Sequence, residues 1–432
     1  MQTDVLIIGG GPAGSTAATL LARQGLRVSV MEKAHHPRFH IGESLLPANL
    51  PLLEKLGVAD EVAAIGMPKR GAEFISSWDG QQQDFLFSEA WNSALPMAYH
   101  VRRADFDQIL FRNAGRAGAE LIEGARVTAV QLGDGTGPVQ VEVRHEDGSS
   151  QNWQARFLID ASGRDTFLAN RLEAKHRNPH HNSAAIFGHF SGAERNPGER
   201  EGHISIYWFD HGWFWFIPLS DGSSSVGAVV WPYYLKTRLR PVNEFLLETI
   251  AMCPPLAQRL AQARLIRDAE ATGNYSYSSA LTHGRNFILL GDAFAFVDPV
   301  FSTGVMLAMQ NAFDGAEAVA SCLRNPAGTR AALRRFDRAV RHGPRQFSWF
   351  IYRITSPTMR EMFMGPRNIL RMKDALLSML AGDIFGKTPI WGALRAFKIT
   401  YHLLSLGHPR RNARARRQRR LNIRPADVGA TP

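Results

Sequence analysis

The stretch Asp4–Lys33, DVLIIGGGPAGSTAATLLARQGLRVSVMEK, decides how the rest of the chain is read. Val5 to Ile8 is an apolar run of the kind that a buried parallel strand requires. Gly9, Gly11 and Gly14 follow, with Pro12 and Ala13 between the last two. A small-residue helix comes next, then a turn at Gly25 and a second β-branched run that closes on Glu32 and Lys33. The first glycine permits the tight turn, the second lets backbone approach a pyrophosphate, and the third lets helix pack on strand. The helix N-terminus then presents unpaired N–H groups to the phosphates. An acid about twenty residues on, here Glu32, accepts from a ribose 2′-OH and disfavours a 2′-phosphate. Strand, glycines, helix, strand and acid in this order predict a dinucleotide-binding βαβ unit.

At 432 residues the chain is long enough for two connected domains. A hydrophobic content of 45% with 21% charged residues excludes a disordered or fibrous class. Cys253 and Cys322 form no CxxC pair and imply no disulfide framework, which suits a reducing cytoplasm. The apolar opening is too short for a signal peptide or a membrane span, and no later run reaches spanning length, so the expected location is cytoplasmic. The net charge is +11, but eight arginines lie between Arg410 and Arg424 with no acid among them, leaving +3 for the rest. Basicity is therefore a property of the tail. Few apolar residues and many like charges predict disorder over 409–432. Such a tail is either merely solvated or meets an acidic partner or a membrane surface. No aromatic residue interleaves its arginines, which argues against specific nucleic-acid readout. The His35-His36 and His180-His181 pairs lack metal-ligand spacing, and no metal site is expected.

After Lys33 a loop leads to Ile41-Gly42-Glu43-Ser44, where Gly42 allows close backbone approach and Glu43 and Ser44 offer hydrogen-bonding groups to a ligand or to the helix that follows. From here the sequence resembles the FAD-dependent aromatic-hydroxylase superfamily. The likeness is sharper toward its flavin-dependent halogenases, in which a HIGES-like loop borders the flavin. Three further segments carry it. Lys69 lies in a Gly- and Pro-rich turn ahead of the strand Ala72–Trp78, where the phenolic halogenases place a catalytic lysine. Trp213-Phe214-Trp215-Phe216-Ile217-Pro218 is similar to their WxWxIP signature. Phe296, Pro299, Ser302 and Gly304 match their FxxPxxSxG spacing.

The resemblance implies FAD at Gly9, Gly11, Pro12, Ala13, Gly14, Glu32, Lys33, Gly42, Glu43 and Ser44. It carries the FAD contacts on to Arg103, Val127, Asp292, Pro299 and Gly304. It implies halide at Ser302, Thr303 and Gly304, where a helix N-terminus aims amides at an anion. Trp213, Trp215, Ile217 and Pro218 become an apolar partition between flavin and substrate, and Lys69 the catalytic residue. The activity implied is halogenation of an electron-rich aromatic, of phenol or pyrrole type, free or on an acyl carrier protein. FADH2 comes from a separate flavin reductase, since no second nucleotide motif is visible, and hypohalous acid is relayed by Lys69. An aromatic monooxygenase, a prenyl or alkene reductase of the same superfamily, or a flavin-binding protein without turnover are the alternatives.

The fold class expected is α/β, with a GR2-type Rossmann-like FAD-binding domain over 1–183, into which a substrate-side segment near 66–100 is interleaved. An antiparallel-sheet substrate domain follows over 184–275, the FAD-binding domain resumes over 276–325, and a helical region runs over 326–408 before the tail.

Overall fold

The computed structural model describes residues 1–133, 137–273 and 276–424. The opening stretch folds as its pattern requires. The strand Gln2–Ile8 runs into the helix Pro12–Ala22 and returns as the strand Val28–Met31, which pairs with it in parallel. Gly9 holds φ +98°, and a Cβ on Gly14 would stand 1.9 Å from the Gly9 carbonyl oxygen. Only glycine lets helix and strand approach so closely.

This unit sits inside a larger sheet. Its strand order runs from Glu120–Ile122 through Val28–Met31 and Gln2–Ile8 to Ser150–Asp160. The last strand has 11 residues, enough to share its outer edge between two neighbours. Its first half pairs antiparallel with Val139–His145, and its last residues pair parallel with Phe287–Leu289. The sequence DGTG at 134–137, which reads as a turn between two strands, lies mostly outside the described residues.

A second sheet is built from 184–273 together with the inserted segment. Its order is Arg264–Leu265, Ala184–Ser191, Ser224–Val230, Gly212–Pro218, Ile204–Phe209, Gly71–Ser76 and Gln82–Leu86. Neighbours are antiparallel except Ile204–Phe209 and Gly71–Ser76, which run parallel. Strand alternation gives this sheet two apolar faces. Phe214 and Phe216 pack toward the helix Val242–Ala251. Trp213, Trp215 and Ile217 pack on the other side, where the helices Thr329–Ile351, Met372–Leu380 and Trp391–Gly407 close over the sheet. The long helix Thr303–Arg324 lies against both Pro12–Ala22 and Thr329–Ile351, so it ties the two layers together. No helix of the described residues is long and apolar enough to cross a membrane.

The tail departs from expectation. Residues Pro409–Asn422 form a helix rather than a disordered segment. Composition predicts repulsion among its arginines, but tertiary contacts outweigh it. Arg411 pairs with Glu361, Asn412 is buried against Thr358, and Arg419 turns inward.

The Gly14 contact makes a first prediction. Gly14→Ala forces a methyl group onto a backbone oxygen, an overpacking that costs about 1–3 kcal/mol. Urea denaturation should show the midpoint fall, and an unchanged midpoint would remove the packing role assigned to this glycine.

Candidate active site

A cavity of about 440 Å³ runs between the two sheets. Its dinucleotide end is walled by Gly9, Gly11, Pro12 and Ala13, with Glu32, Lys33 and Val127 beside them. Gly14 does not reach it and serves packing alone. Glu32 is already engaged, since its carboxylate accepts from the Gly10 and Ala34 amides at 2.8 and 3.0 Å. It is thereby aimed at the cavity. Lys33 is more exposed and pairs with Asp165.

The middle of the cavity is held by arginines. Arg103 donates to both oxygens of Asp107, at 2.8 and 3.0 Å, and to the Ile41 carbonyl at 3.0 Å. Arg38 reaches Asp107 at 3.0 Å from the other side. Burial pushes the Asp107 carboxyl up, but the two guanidinium groups outweigh it and hold the carboxyl below its usual range. Burial, reinforced by the Arg103 charge, lowers His40 to about 4, so its ring is neutral. Gly42 holds φ +109° and lets the loop pass Arg103. Arg38 has no signal in the sequence beyond its type; its role comes from the fold.

At the far end stand Asp292, Pro299, Ser302 and Gly304. Burial raises the Asp292 carboxyl to about 6, against the pull of Arg103 and Arg164. A carboxyl in that state is well served by hydroxyl donors. Thr303 does not line the main cavity. It lines, with Gly304 and Phe296, a separate space of about 30 Å³ behind the turn. Trp213, Trp215 and Ile217 form the opposite wall, with the two indole centroids 6.1 Å apart. Trp215 donates to Ser225 at 3.2 Å, and Gly227 leaves room for its ring, since a Cβ there would meet it at 2.4 Å. Pro218 departs from the expected partition. It falls on the strand parity of Phe214 and Phe216 and does not line the cavity.

Lys69 also departs from its expected place in a turn. It ends the strand Met67–Lys69, which pairs with Ala98–His100. On the other side of that strand run residues 43–45, through the Val101 amide to Glu43, the bridge of Ser44 with His100, and the Leu45 amide to Tyr99. Three short strands thus bring Lys69 against the HIGES segment. Its side chain is 1% exposed. The amine donates to Ser44 Oγ at 2.9 Å and to the Leu45 carbonyl at 3.0 Å, and lies 5.3 Å from the Phe87 ring centroid. Burial alone lowers it to about 7. Lys69 does not itself line the cavity; its amine stands behind Ser44, which does. Ser44 therefore serves the lysine as well as the cavity wall.

Glu43 has a partner that the sequence could not name. Its Oε1 meets His189 Nε2 at 2.8 Å across the two sheets, both groups fully buried, while Glu43 Oε2 has no partner. Among the described residues, one triplet of ligand-type side chains converges elsewhere, at Glu73, Asp84 and His203. Glu73 there already accepts from Arg259, Asn196 and Gln82, so its charge is met without a metal.

The cavity fits FAD. A glycine-cornered end with an acid at its edge suits the adenosine and pyrophosphate, and a raised, half-buried Asp292 on the cavity wall suits a polyol chain. Comparisons with known proteins agree. A family model described as FAD binding domain matches residues 2–342. The chain is 36% identical over 343 residues to the Tryptophan 2-halogenase of Chondromyces crocatus, a match over 78% of this chain and 65% of that protein. The chain thus spans slightly less than two thirds of that relative. It is 30% identical over 406 residues to the 1H-pyrrole-2-carbonyl-(peptidyl-carrier protein) chlorinase of Pseudomonas fluorescens, over 88% of this chain and 89% of that one. The solved structure of the myxobacterial chondrochloren halogenase CndH superposes with a TM-score of 0.79 at 32% identity, covering 90% of this chain and 92% of that one.

Fold and cavity together define an FAD-binding protein. The chain belongs to the FAD binding domain family and, within it, to the flavin-dependent halogenases.

The buried amine makes a pH prediction. With a folded value near 7 and an unfolded value near 10.5, the unfolded chain binds more protons between the two. Stability from this group therefore rises with pH across that window. Between about pH 7.5 and about pH 9.5 the wild type should gain about 2 kcal/mol over Lys69→Met in urea denaturation. Parallel pH curves for the two proteins would mean that the amine is charged in the fold.

Proposed function

We propose that this protein halogenates an electron-rich aromatic compound of phenol or pyrrole type, and that Lys69 is its catalytic residue. The substrate is either free or carried on an acyl carrier protein, as the name of the pyrrole relative suggests for that protein. The observation that carries the reading is the buried Lys69 amine, tuned to about 7 and held against Ser44 at the cavity wall. Bound FAD, reduced by a separate flavin reductase, supplies the reaction of O2 that oxidises the halide to hypohalous acid.

The protein's own part is positional. Ser302 and Gly304 face the cavity and Thr303 the smaller space behind it, and this helix start offers backbone N–H groups to a halide. Trp213, Trp215 and Ile217 make an apolar wall that keeps a substrate ring from the flavin and excludes water. Lys69 receives the oxidised halogen. Near pH 7 its amine is available both as a hydrogen-bond donor to hypohalous acid and, through its lone pair, as a nucleophile that would take the halogen as the halogen–oxygen bond breaks, the amine proton and hydroxide leaving as water. Confinement then orients the electrophile toward the ring.

The test supplies FAD, a flavin reductase, NADH and bromide with a panel of phenols, pyrroles and indoles, and reads products by mass spectrometry. A bromine isotope pair is expected from the wild type. Lys69→Ala should retain FAD but lose bromination by about two orders of magnitude or more, as for the loss of a principal catalytic group. Full bromination by that variant would remove Lys69 from the chemistry. Oxygenated products without halide dependence would instead identify an aromatic monooxygenase.

A further inference from the structure

One arginine of the basic C-terminal helix breaks the pattern of its neighbours. Arg414, Arg416, Arg417 and Arg420 are exposed. The Arg419 guanidinium turns inward and lies 5.7 Å from the Trp231 ring and 6.0 Å from the Tyr352 ring. Burial lowers Arg419 to about 10. Its Nη2 donates to His181 Nδ1 at 3.1 Å and to the His180 carbonyl at 3.3 Å.

A guanidinium has donors and no acceptor. His181 Nδ1 must therefore accept, and the one proton of the ring sits on Nε2. That Nε2–H donates to Asp298 Oδ2 at 2.7 Å, and Ser183 donates to the same oxygen at 3.1 Å. The other oxygen of Asp298 accepts from the Val300 amide at 3.1 Å and caps the turn Pro299–Phe301. The turn ends at Ser302 with φ +55°, a left-handed conformation that a non-glycine residue holds only when its surroundings impose it. Thr303 then begins the long helix. A continuous line of donors thus joins the C-terminal helix to the turn that carries Ser302, Thr303 and Gly304.

Asp298 needs such a line. It lines the small space that Thr303 and Gly304 also line, where an open carboxylate would repel an anion. Three donors on its two oxygens turn that charge away from the space and fix the turn.

We propose that Arg419, acting through the His181 tautomer, is a positioning residue for the halide-binding turn. The inference rests on the halogenase reading for the identity of the anion, though not for the line of hydrogen bonds. It makes the basic helix part of the active-site architecture and not only a solvated appendage.

The experiment uses the full-length, FAD-loaded enzyme with a flavin reductase, bromide and an aromatic that the panel shows to be brominated. Arg419→Ala should raise the bromide concentration for half-maximal turnover about tenfold, the scale of one charge-assisted hydrogen bond lost. The rate at saturating bromide should stay within about twofold, since the halide then occupies the turn in either protein. Arg419→Lys, which keeps a cationic donor, should recover most of the loss. His181→Ala should match Arg419→Ala, and the double variant should be no worse than His181→Ala alone. Histidine 15N NMR, assigned with the His181 variant, should show an Nε2–H tautomer with a bare Nδ1 in the wild type, whereas in Arg419→Ala the freed Nδ1 should take a proton on acidification. An unchanged bromide requirement in Arg419→Ala, additive losses in the double variant, or an Nδ1–H form of His181 in the wild type would each overturn the relay. A wild type that shows the Nε2–H signature but no bromide-dependent product with any aromatic would overturn the functional reading and with it the halide role of the turn.

Discussion

An amine removed from water must be met by oxygen, and most of what is particular to this protein follows from how Lys69 meets it. Its two acceptors, Ser44 Oγ and the Leu45 carbonyl, come from a segment that belongs to the nucleotide-binding side of the molecule. The lysine comes from the segment that goes on to supply two strands of the other sheet. Ala98–His100 lies between them and pairs with both. Without that three-stranded junction the amine would be buried and unpaired, a state that proteins avoid by several kcal/mol. The junction sets the amine's environment and at the same time fixes one sheet against the other.

The rest of the site obeys a similar rule of charge compensation. Asp107 is fully buried and is matched by two arginines; Asp298 is buried and is matched by a histidine, a serine and an amide. Asp292 opens on the cavity, where the charges of Arg103 and Arg164 pull its carboxyl down against burial. Burial outweighs that pull and leaves the Asp292 carboxyl raised, whereas the two guanidinium groups hold Asp107 low.

Much of this was legible in the sequence, and the limits have physical reasons. The glycines, Glu32 and the strand runs of the first unit are local signals, and they fold as read. The wall at Trp213, Trp215 and Ile217 was legible through the likeness to the WxWxIP signature, and strand alternation explains why these three residues share one face. The same alternation excludes Pro218, which a motif read as a block had included. The local sequence puts Lys69 in a turn, because its burial depends on Ser44 and Leu45, which lie 25 and 24 residues away. The pairs Glu43–His189 and His181–Arg419 span 146 and 238 residues, and no local pattern announces either. From composition the tail reads as disordered, because composition counts repulsion among arginines but not the Glu361 and His181 groups that receive Arg411 and Arg419, nor the Thr358 hydroxyl that donates to Asn412.

The parallel pairing of Ile204–Phe209 with Gly71–Ser76 has a consequence for how such proteins are made and diversified. Residues near the seventieth position wait, during synthesis, for a strand translated more than a hundred residues later before their hydrogen bonds close. Contacts of such long sequence separation slow folding. Nor can a single cut divide the chain into two self-sufficient halves, because each sheet owns a piece of sequence embedded in the territory of the other. Exchange of the substrate-facing module between relatives would need several simultaneous crossovers, whereas variation in its side chains needs none.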